Sequence, residues 1–185
     1  RGRRREDEGR RAERVVGHYS MLIMGYEVSC CPDPGLIADY ARDVRPEILF
    51  GVPRVFEKIH SRVLAALSAD PEKAQKLDEA VEAAKPIALK KAWGTATPEE
   101  EATYDFLDEV AFRGIRELLG FDQLTAAISG AAPITADLLS WYRAIGVPLS
   151  EVYGMSENTG AMTWEPYRIK PGSVGRAVPG AEVAL

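Results

Sequence analysis

Along most of the chain, segments with apolar side chains at helical spacing alternate with segments at strand spacing. Between residues 12 and 24 the apolar positions lie three or four residues apart, which predicts a helix that ends at Gly25. Residues 26–31 predict a short strand. Residues 36–44 predict a second helix, which ends before Pro46 because the residue preceding a proline avoids the helical region.

The same alternation continues on both sides of a central interruption. Residues 47–52 form an apolar run that predicts a buried strand, and Pro53 suits the first turn of the helix that follows. Residues 124–129 predict another strand, Thr135 is positioned to cap a helix, and residues 147–152 predict the next strand. This alternation predicts an α/β fold, a layered parallel sheet built from βαβ units and covered by helices.

Residues 70–120 differ from the rest, because they hold two long helical patterns and no strand. Asp70 precedes a proline at a first helical position, and Thr97 with Glu100 forms a capping box. Pro86 is expected to kink or divide the first of the two helices. The pattern predicts a helical hairpin inserted between the sheet units, and by pattern alone it is more often a scaffold than a site.

Composition and charge narrow the range of functions. The chain has 185 residues, of which 46% are hydrophobic, and a net charge of −5. The negative charge argues against a general nucleic-acid-binding surface. Residues 1–11 mix six arginines with three acids, which predicts a disordered tail that is not part of the fold. The only cysteines, Cys30 and Cys31, are adjacent, which favours reduced thiols and a cytoplasmic protein.

Small residues follow one predicted strand and an aromatic side chain follows the next. In open α/β sheets, ligands bind beyond the carboxyl ends of the strands. A turn of very small side chains lets a flat ligand lie against the backbone, and the residues that provide it are Gly130, Ala131 and Ala132. Tyr153 offers an aromatic face for stacking, and Gly154 is expected to let the chain turn closely.

Two polar residues complete this candidate site. Ser156 can donate a hydrogen bond to a phosphate oxygen, and Glu157 can bind a hard cation such as Mg²⁺. Together with Tyr153 they suit a nucleotide, although a core-edge tyrosine and a surface glutamate explain these residues about equally well. The sequence contains neither the phosphate loop of the P-loop enzymes nor the glycine motif of dinucleotide-binding folds.

Three stretches resemble one enzyme family. "ISGAAP", "VPLSEVYGMSENTG" and "GSVGRAVPGAEV" are similar to motifs of the AMP-forming adenylating superfamily, which includes acyl-CoA synthetases, luciferases and peptide-synthetase adenylation domains. "ILFGVPRVFEKIHSRV" and the helical insertion, about residues 70–120, resemble the long-chain fatty acyl-CoA synthetases of bacterial type. The likeness extends over residues 12–185 and implies a partial AMP-binding domain.

The resemblance implies a reaction in two steps. A fatty acid attacks ATP to give acyl-AMP and pyrophosphate, and the thiol of coenzyme A then displaces AMP, with Mg²⁺ neutralising phosphate charge. The implied catalytic residues are Ser156 and Glu157, and Glu157 is also the implied metal ligand. The residues implied to bind the nucleotide are Gly130, Ala131, Ala132, Glu151, Val152, Tyr153, Gly154, Met155 and Ser156.

Other parts of the family pattern are not found in these 185 residues. They are the phosphate loop, the ribose-binding aspartate and the C-terminal domain with its catalytic lysine. The resemblance therefore implies an internal fragment of a large N-terminal domain, inactive by itself. Two alternatives stay open: an adenylating enzyme for an aryl or amino acid, and a non-catalytic remnant or interaction module. Fatty acid, ATP and coenzyme A are the expected partners, with no nucleic acid, in the cytoplasm and with a peripheral membrane contact.

Overall fold

The computed structural model describes residues 14–33 and 35–184. The predicted tail, residues 1–11, lies outside them. The helices are α1 (Ser20–Met24), α2 (Ile37–Val44), α3 (Pro53–Leu67), α4 (Pro71–Trp93), α5 (Pro98–Leu107), α6 (Arg113–Leu119) and α7 (Ala136–Ala144). The strands are β1 (Ile48–Gly51), β2 (Ala126–Ser129), β3 (Leu149–Met155), β4 (Gly160–Trp164) and β5 (Arg176–Ala177). Wide π-type turns at Arg14–Tyr19 and Asp108–Phe112 precede α1 and join α5 to α6, and a 3₁₀ turn at Ser156–Asn158 joins β3 to β4.

The strands form one sheet of five in the order β1-β2-β3-β4-β5. The first three run parallel, as predicted, with α3 to α6 crossing from β1 to β2 and α7 crossing from β2 to β3. β4 and β5 are antiparallel to their neighbours. The turn between β3 and β4 is too short for a parallel crossover, which needs about a dozen residues or more. The α/β prediction is confirmed, and the sheet is mixed rather than wholly parallel.

The core lies where α3 and α7 pack on the sheet and α4 packs on those two helices. Phe56 and Tyr142 are fully buried, and their rings meet edge to face with centroids 5.5 Å apart. The Tyr142 hydroxyl donates a hydrogen bond of 2.7 Å to the carbonyl oxygen of Phe56, which joins α7 to α3. Burial raises the pKa of Tyr142, so the phenol stays protonated and keeps this hydrogen bond over the physiological range.

Helix α4 packs against α5, as the predicted hairpin requires. Asp70 accepts a hydrogen bond from the Lys73 amide, and the Thr97 capping box forms as predicted. The helix continues through Pro86, so this proline does not divide it, and the expected kink stays a prediction. Buried side chains on both sides of Pro86, among them Val81 and Ile87, hold the two halves against the same core.

Residues 26–31 are not a strand, and that prediction is also wrong. A strand needs a neighbouring strand to take up its backbone hydrogen bonds, and no described strand pairs with these residues. Val28 is 36% exposed, and the Tyr26 hydroxyl bonds back to the Val16 carbonyl. The predicted end of α2 is confirmed, because Arg45, next to Pro46, has a left-handed φ of 49° and ends the helix.

Candidate functional site

The carboxyl ends of three parallel strands lie side by side at one edge of the sheet. Gly51 of β1 is in register with Ser129 of β2, and Ser129 is in register with Glu151 of β3. The chain leaves β2 through Gly130, whose amide donates a hydrogen bond of 3.2 Å to the Gly51 carbonyl. The small-residue turn predicted from the sequence therefore begins at the edge where such sheets bind ligands.

The turn between β2 and α7 exposes small side chains. Gly130 is buried, and a Cβ on it would lie 2.9 Å from Cγ1 of Val152. Ala131 and Ala132 are exposed, and Ala131 has a φ of +68°, a left-handed conformation that disfavours residues with a Cβ. After the turn, the Thr135 side chain caps α7 by accepting a hydrogen bond from the Leu138 amide. The exposed backbone of the turn is open to a flat ligand.

Strand β3 presents Tyr153 and Met155 beside that turn. Tyr153 is 43% exposed and Met155 is 39% exposed, whereas Val152, which pairs with Trp164 of β4, is half-buried. The exposed ring of Tyr153 is therefore available for stacking on a base. The pairing of β3 with β4 is irregular between Tyr153 and Gly154, where the register shifts.

Gly154 has a different role from the one expected. It lies inside β3 with a φ outside the left-handed region, so it does not make a turn. A Cβ at this position would lie 2.1 Å from the carbonyl oxygen of Gly160. The glycine is thus required because the backbones of β3 and β4 approach closely.

Ser156 and Glu157 lie on the short 3₁₀ turn that follows β3. The Asn158 side chain accepts a hydrogen bond of 3.3 Å from the Met155 amide, and Thr159 ends the turn with a φ of 64°. Ser156 is half-buried and Glu157 is exposed. Within residues 14–33 and 35–184, the Glu157 carboxylate has no hydrogen-bond or ion-pair partner, so it is free to bind a cation.

One carboxylate is a suitable protein contribution to a magnesium–nucleotide site. Mg²⁺ is bound through about one or two carboxylates together with phosphates and water, rather than by a cage of protein ligands. The described part of the chain has no cluster of three or more His, Cys, Asp or Glu residues that could hold a metal by itself. Glu157 therefore fits a metal that arrives with the nucleotide and does not fit a permanently bound one.

The side chain of Glu151 points into the protein. It is 8% exposed, and its Oε1 accepts a hydrogen bond of 3.3 Å from the Ile134 amide, at the end of the small-residue turn. On the neighbouring strand, the fully buried hydroxyl of Ser129 has no hydrogen-bond partner among the described residues. The contact with Ile134 could not be predicted from the sequence, because a residue pattern does not show which distant backbone amide a side chain meets.

A half-buried arginine fixes the start of β3. Arg143 donates a hydrogen bond of 2.6 Å from Nε to the Leu149 carbonyl and another from Nη2 to the Pro166 carbonyl. Burial lowers the pKa of Arg143 to about 10, which leaves the guanidinium charged at neutral pH. Trp164 also holds this strand, because its Nε1 donates a hydrogen bond of 2.9 Å to Oγ of Ser150. These bonds give β3 a fixed position beneath the candidate site.

Comparison with known proteins identifies the family of the chain. The model of a family described as AMP-binding enzyme matches residues 12–185. A Mycobacterium tuberculosis protein provisionally named fatty-acid–CoA ligase fadD11 is 34% identical over 175 residues, which are 92% of this chain and 31% of the relative. The long-chain-fatty-acid–CoA ligase ACSBG2 of Xenopus laevis is 32% identical over 155 residues, 82% of this chain and 20% of the relative.

The rat long-chain-fatty-acid–CoA ligase ACSBG1 is 31% identical over 184 residues, 94% of this chain and 24% of the relative. The chain thus spans less than a third of the length of these curated relatives. No solved structure gives a significant match. The resemblance stated from the sequence motifs is confirmed, and the chain belongs to the AMP-binding enzyme family.

Proposed function

We propose that this chain forms part of the nucleotide-binding domain of a fatty-acid–CoA ligase. The enzyme would join a fatty acid to AMP with release of pyrophosphate, and coenzyme A would then take the acyl group from AMP through its thiol. The observation that supports the proposal is that an exposed small-residue turn and the segment with Tyr153 and Glu157 follow two neighbouring parallel strands at the same edge of the sheet. The names of the relatives favour a fatty acid over an aryl or amino acid.

The nucleotide would lie between the turn and the end of β3. The backbone of Gly130, Ala131 and Ala132 would contact one face of the adenine, and the exposed ring of Tyr153 would stack against it. Val152, Gly154 and Met155 would supply the strand backbone along the same ligand. The Ala131 backbone is suited to this role because its left-handed conformation turns the chain sharply next to the sheet.

The phosphates would lie over the 3₁₀ turn. Ser156 would donate a hydrogen bond to a phosphate oxygen, and the exposed Glu157 carboxylate would bind Mg²⁺. When bound, Mg²⁺ neutralises the negative charge on the phosphates. Glu157 would therefore fix the position of the charge-neutralising ion at the end of β3, while Ser156 orients the phosphate group.

The cytoplasmic location and the peripheral membrane contact stay predictions. No described helix is long and apolar enough to cross a bilayer. Co-sedimentation with vesicles of phosphatidylcholine and phosphatidylglycerol tests the contact, since a protein that stays in the supernatant at low salt has no affinity for such a surface.

Fatty-acid-dependent exchange of pyrophosphate into ATP tests the proposed function in the full-length protein that contains this sequence. Palmitate, benzoate and a mixture of amino acids are compared with a reaction that lacks any acid. We expect exchange with palmitate alone, followed by palmitoyl-CoA formation when coenzyme A is added. Exchange with benzoate or an amino acid would support a different acid substrate, and no exchange with any acid would support a non-catalytic protein.

A further inference from the structure

The turn that leaves β2 is attached to the protein at its two ends. The Gly130 amide bonds to the Gly51 carbonyl at 3.2 Å, and the Ile134 amide bonds to the Glu151 carboxylate at 3.3 Å. Between these two points, no hydrogen bond to another described residue restrains the turn. Pro133 has no amide hydrogen to donate. The second of the two anchors is therefore a single side chain.

This turn has a conformation that it would not keep unaided. Ala131 has a φ of +68°, which places its Cβ against the backbone and is disfavoured for every residue except glycine and, to a lesser degree, asparagine and aspartate. A residue in such a conformation persists where its surroundings determine the path of the chain on both sides. Glu151 determines that path on the α7 side, and the buried Ile134 side chain helps it.

Glu151 is also unusual as a buried acid. A carboxylate that is 8% exposed loses hydration unless hydrogen bonds replace it, and its one bond to a described residue is the bond from Ile134. A cavity of about 140 Å³, which Glu151 lines together with Trp93 and Arg168, lies beside it and is roomy enough for water. The Glu151 side chain lies on the same face of β3 as Tyr153, two residues further on, and it is buried against the turn.

We propose that Glu151 is a positioning residue, whose carboxylate holds residues 130–134 in the conformation that receives the adenine. It acts through the Ile134 amide. This inference rests on the proposed function for the identity of the ligand, but the attachment of the turn does not depend on it. The role differs from that of Tyr153, which would touch the base directly.

Three substitutions of Glu151 test separately the hydrogen-bond acceptor, the length of the side chain and its charge. Glu151→Gln keeps an acceptor oxygen at the same distance. Glu151→Asp keeps the charge but withdraws the oxygen by about one carbon–carbon bond length, roughly 1.5 Å, which breaks a contact that is already 3.3 Å long. Glu151→Leu has a similar volume and no acceptor. Glu109, an exposed acid on the outer side of the hairpin, provides the controls Glu109→Gln and Glu109→Leu.

Two measurements on the full-length protein are compared. Amide hydrogen exchange of peptides that cover residues 131–135 reports the attachment of the turn without any activity. The KM for ATP and kcat, from palmitate-dependent pyrophosphate exchange, report its effect on the site. We expect faster amide hydrogen exchange of this turn in Glu151→Asp and Glu151→Leu. We also expect both variants to raise the KM for ATP about tenfold, which is the effect of one lost charge-assisted hydrogen bond, and to change kcat less than about twofold.

Glu151→Gln is expected to retain the protection of the turn, because its amide oxygen can still accept a hydrogen bond from the Ile134 amide. Both Glu109 controls are expected to retain that protection and a KM for ATP within about twofold of the original value. Unchanged amide hydrogen exchange of the turn in Glu151→Asp and Glu151→Leu would overturn the proposal. So would loss of turn protection in Glu151→Gln to the level of Glu151→Leu, because the acceptor oxygen would then not be what holds the turn. If the unaltered protein has no pyrophosphate-exchange activity, the proposed function fails. The comparison of amide hydrogen exchange then still decides whether Glu151 holds the turn. Glu151→Asp decides it even if the leucine variant does not fold.

Discussion

Gly154→Ala is expected to destabilise the β3–β4 hairpin far more than a glycine-to-alanine change usually does. Gly154 pairs with Ala161 in the middle of the hairpin. A Cβ at position 154 would lie 2.1 Å from the carbonyl oxygen and 2.8 Å from the carbonyl carbon of Gly160. Both atoms belong to the backbone, so no side-chain rotation can remove the overlap and the two strands must separate.

The size of the effect follows from the distance. A carbon and a carbonyl oxygen in neighbouring strands approach to about 3.3 Å, so the strands must move apart by roughly 1 Å. Overpacking of this kind costs about 1–3 kcal/mol, and we take the upper end because backbone lies on both sides of the overlap. For a chain of this length, each kcal/mol lowers the melting temperature by about 2–4 °C, which gives a decrease of roughly 6–12 °C.

Gly160→Ala provides the matched control in the same hairpin. A Cβ at Gly160 would meet no atom within 4 Å, and its φ lies outside the left-handed region. We expect its free energy of unfolding to stay within about 0.5 kcal/mol of the original value. Thermal denaturation followed by circular dichroism compares the two variants. Equal melting temperatures for Gly154→Ala and Gly160→Ala would refute the argument that close backbone approach requires the glycine.

Three further changes test the site and the core. In the full-length protein, Glu157→Gln is expected to reduce fatty-acid-dependent pyrophosphate release about a hundredfold without changing the melting temperature. Ser156→Ala is expected to reduce the same release about fivefold, because the loss of one neutral hydrogen-bond donor costs less than the loss of a charge partner. Near-normal release by Glu157→Gln would remove the magnesium role. Tyr142→Phe deletes the 2.7 Å hydrogen bond to the Phe56 carbonyl and should lower the free energy of unfolding by about 1 kcal/mol in urea denaturation, whereas an unchanged midpoint would show that the bond contributes nothing. Burial, with Lys85 nearby, lowers the pKa of His60 below its ordinary value of 6.5. The unfolded state therefore binds more protons, and the free energy of unfolding should decrease as the pH falls below about 6.5. His60→Gln should flatten that part of the stability–pH profile, and a profile identical to that of the original protein would contradict the reasoning.

Most helix boundaries could be predicted from the sequence, because the signals that set them are local. The caps at Asp70, Thr97 and Thr135 each bond to an amide three residues further on, within the same turn of helix. Gly25 and Gly120 end helices through left-handed conformations that glycine adopts easily. The three parallel strands also followed from apolar runs bounded by such signals.

The failures of prediction concern pairing and packing. Residues 26–31 have a strand-like composition, but no described strand pairs with them. Residues 160–164 formed a strand without having been predicted as one, since Gly160 and Ala161 give no strand pattern and β3 supplies the hydrogen bonds. Pro86 removes one hydrogen bond from α4, and the packing of the surrounding turns on the core outweighs that loss.

For the candidate site, the sequence determined which chemical groups are present, and the tertiary structure decided how they are used. Gly130, Tyr153 and Glu157 could be selected from motifs because they lie in the last residues of a strand or shortly after it, at its carboxyl end. The inward direction of Glu151 and the clash that requires Gly154 depend on atoms 17 residues away, at Ile134, and on a neighbouring strand. A residue pattern records local periodicity, whereas a hydrogen bond to a distant amide or a 2.1 Å approach of two backbones exists only after the chain has folded.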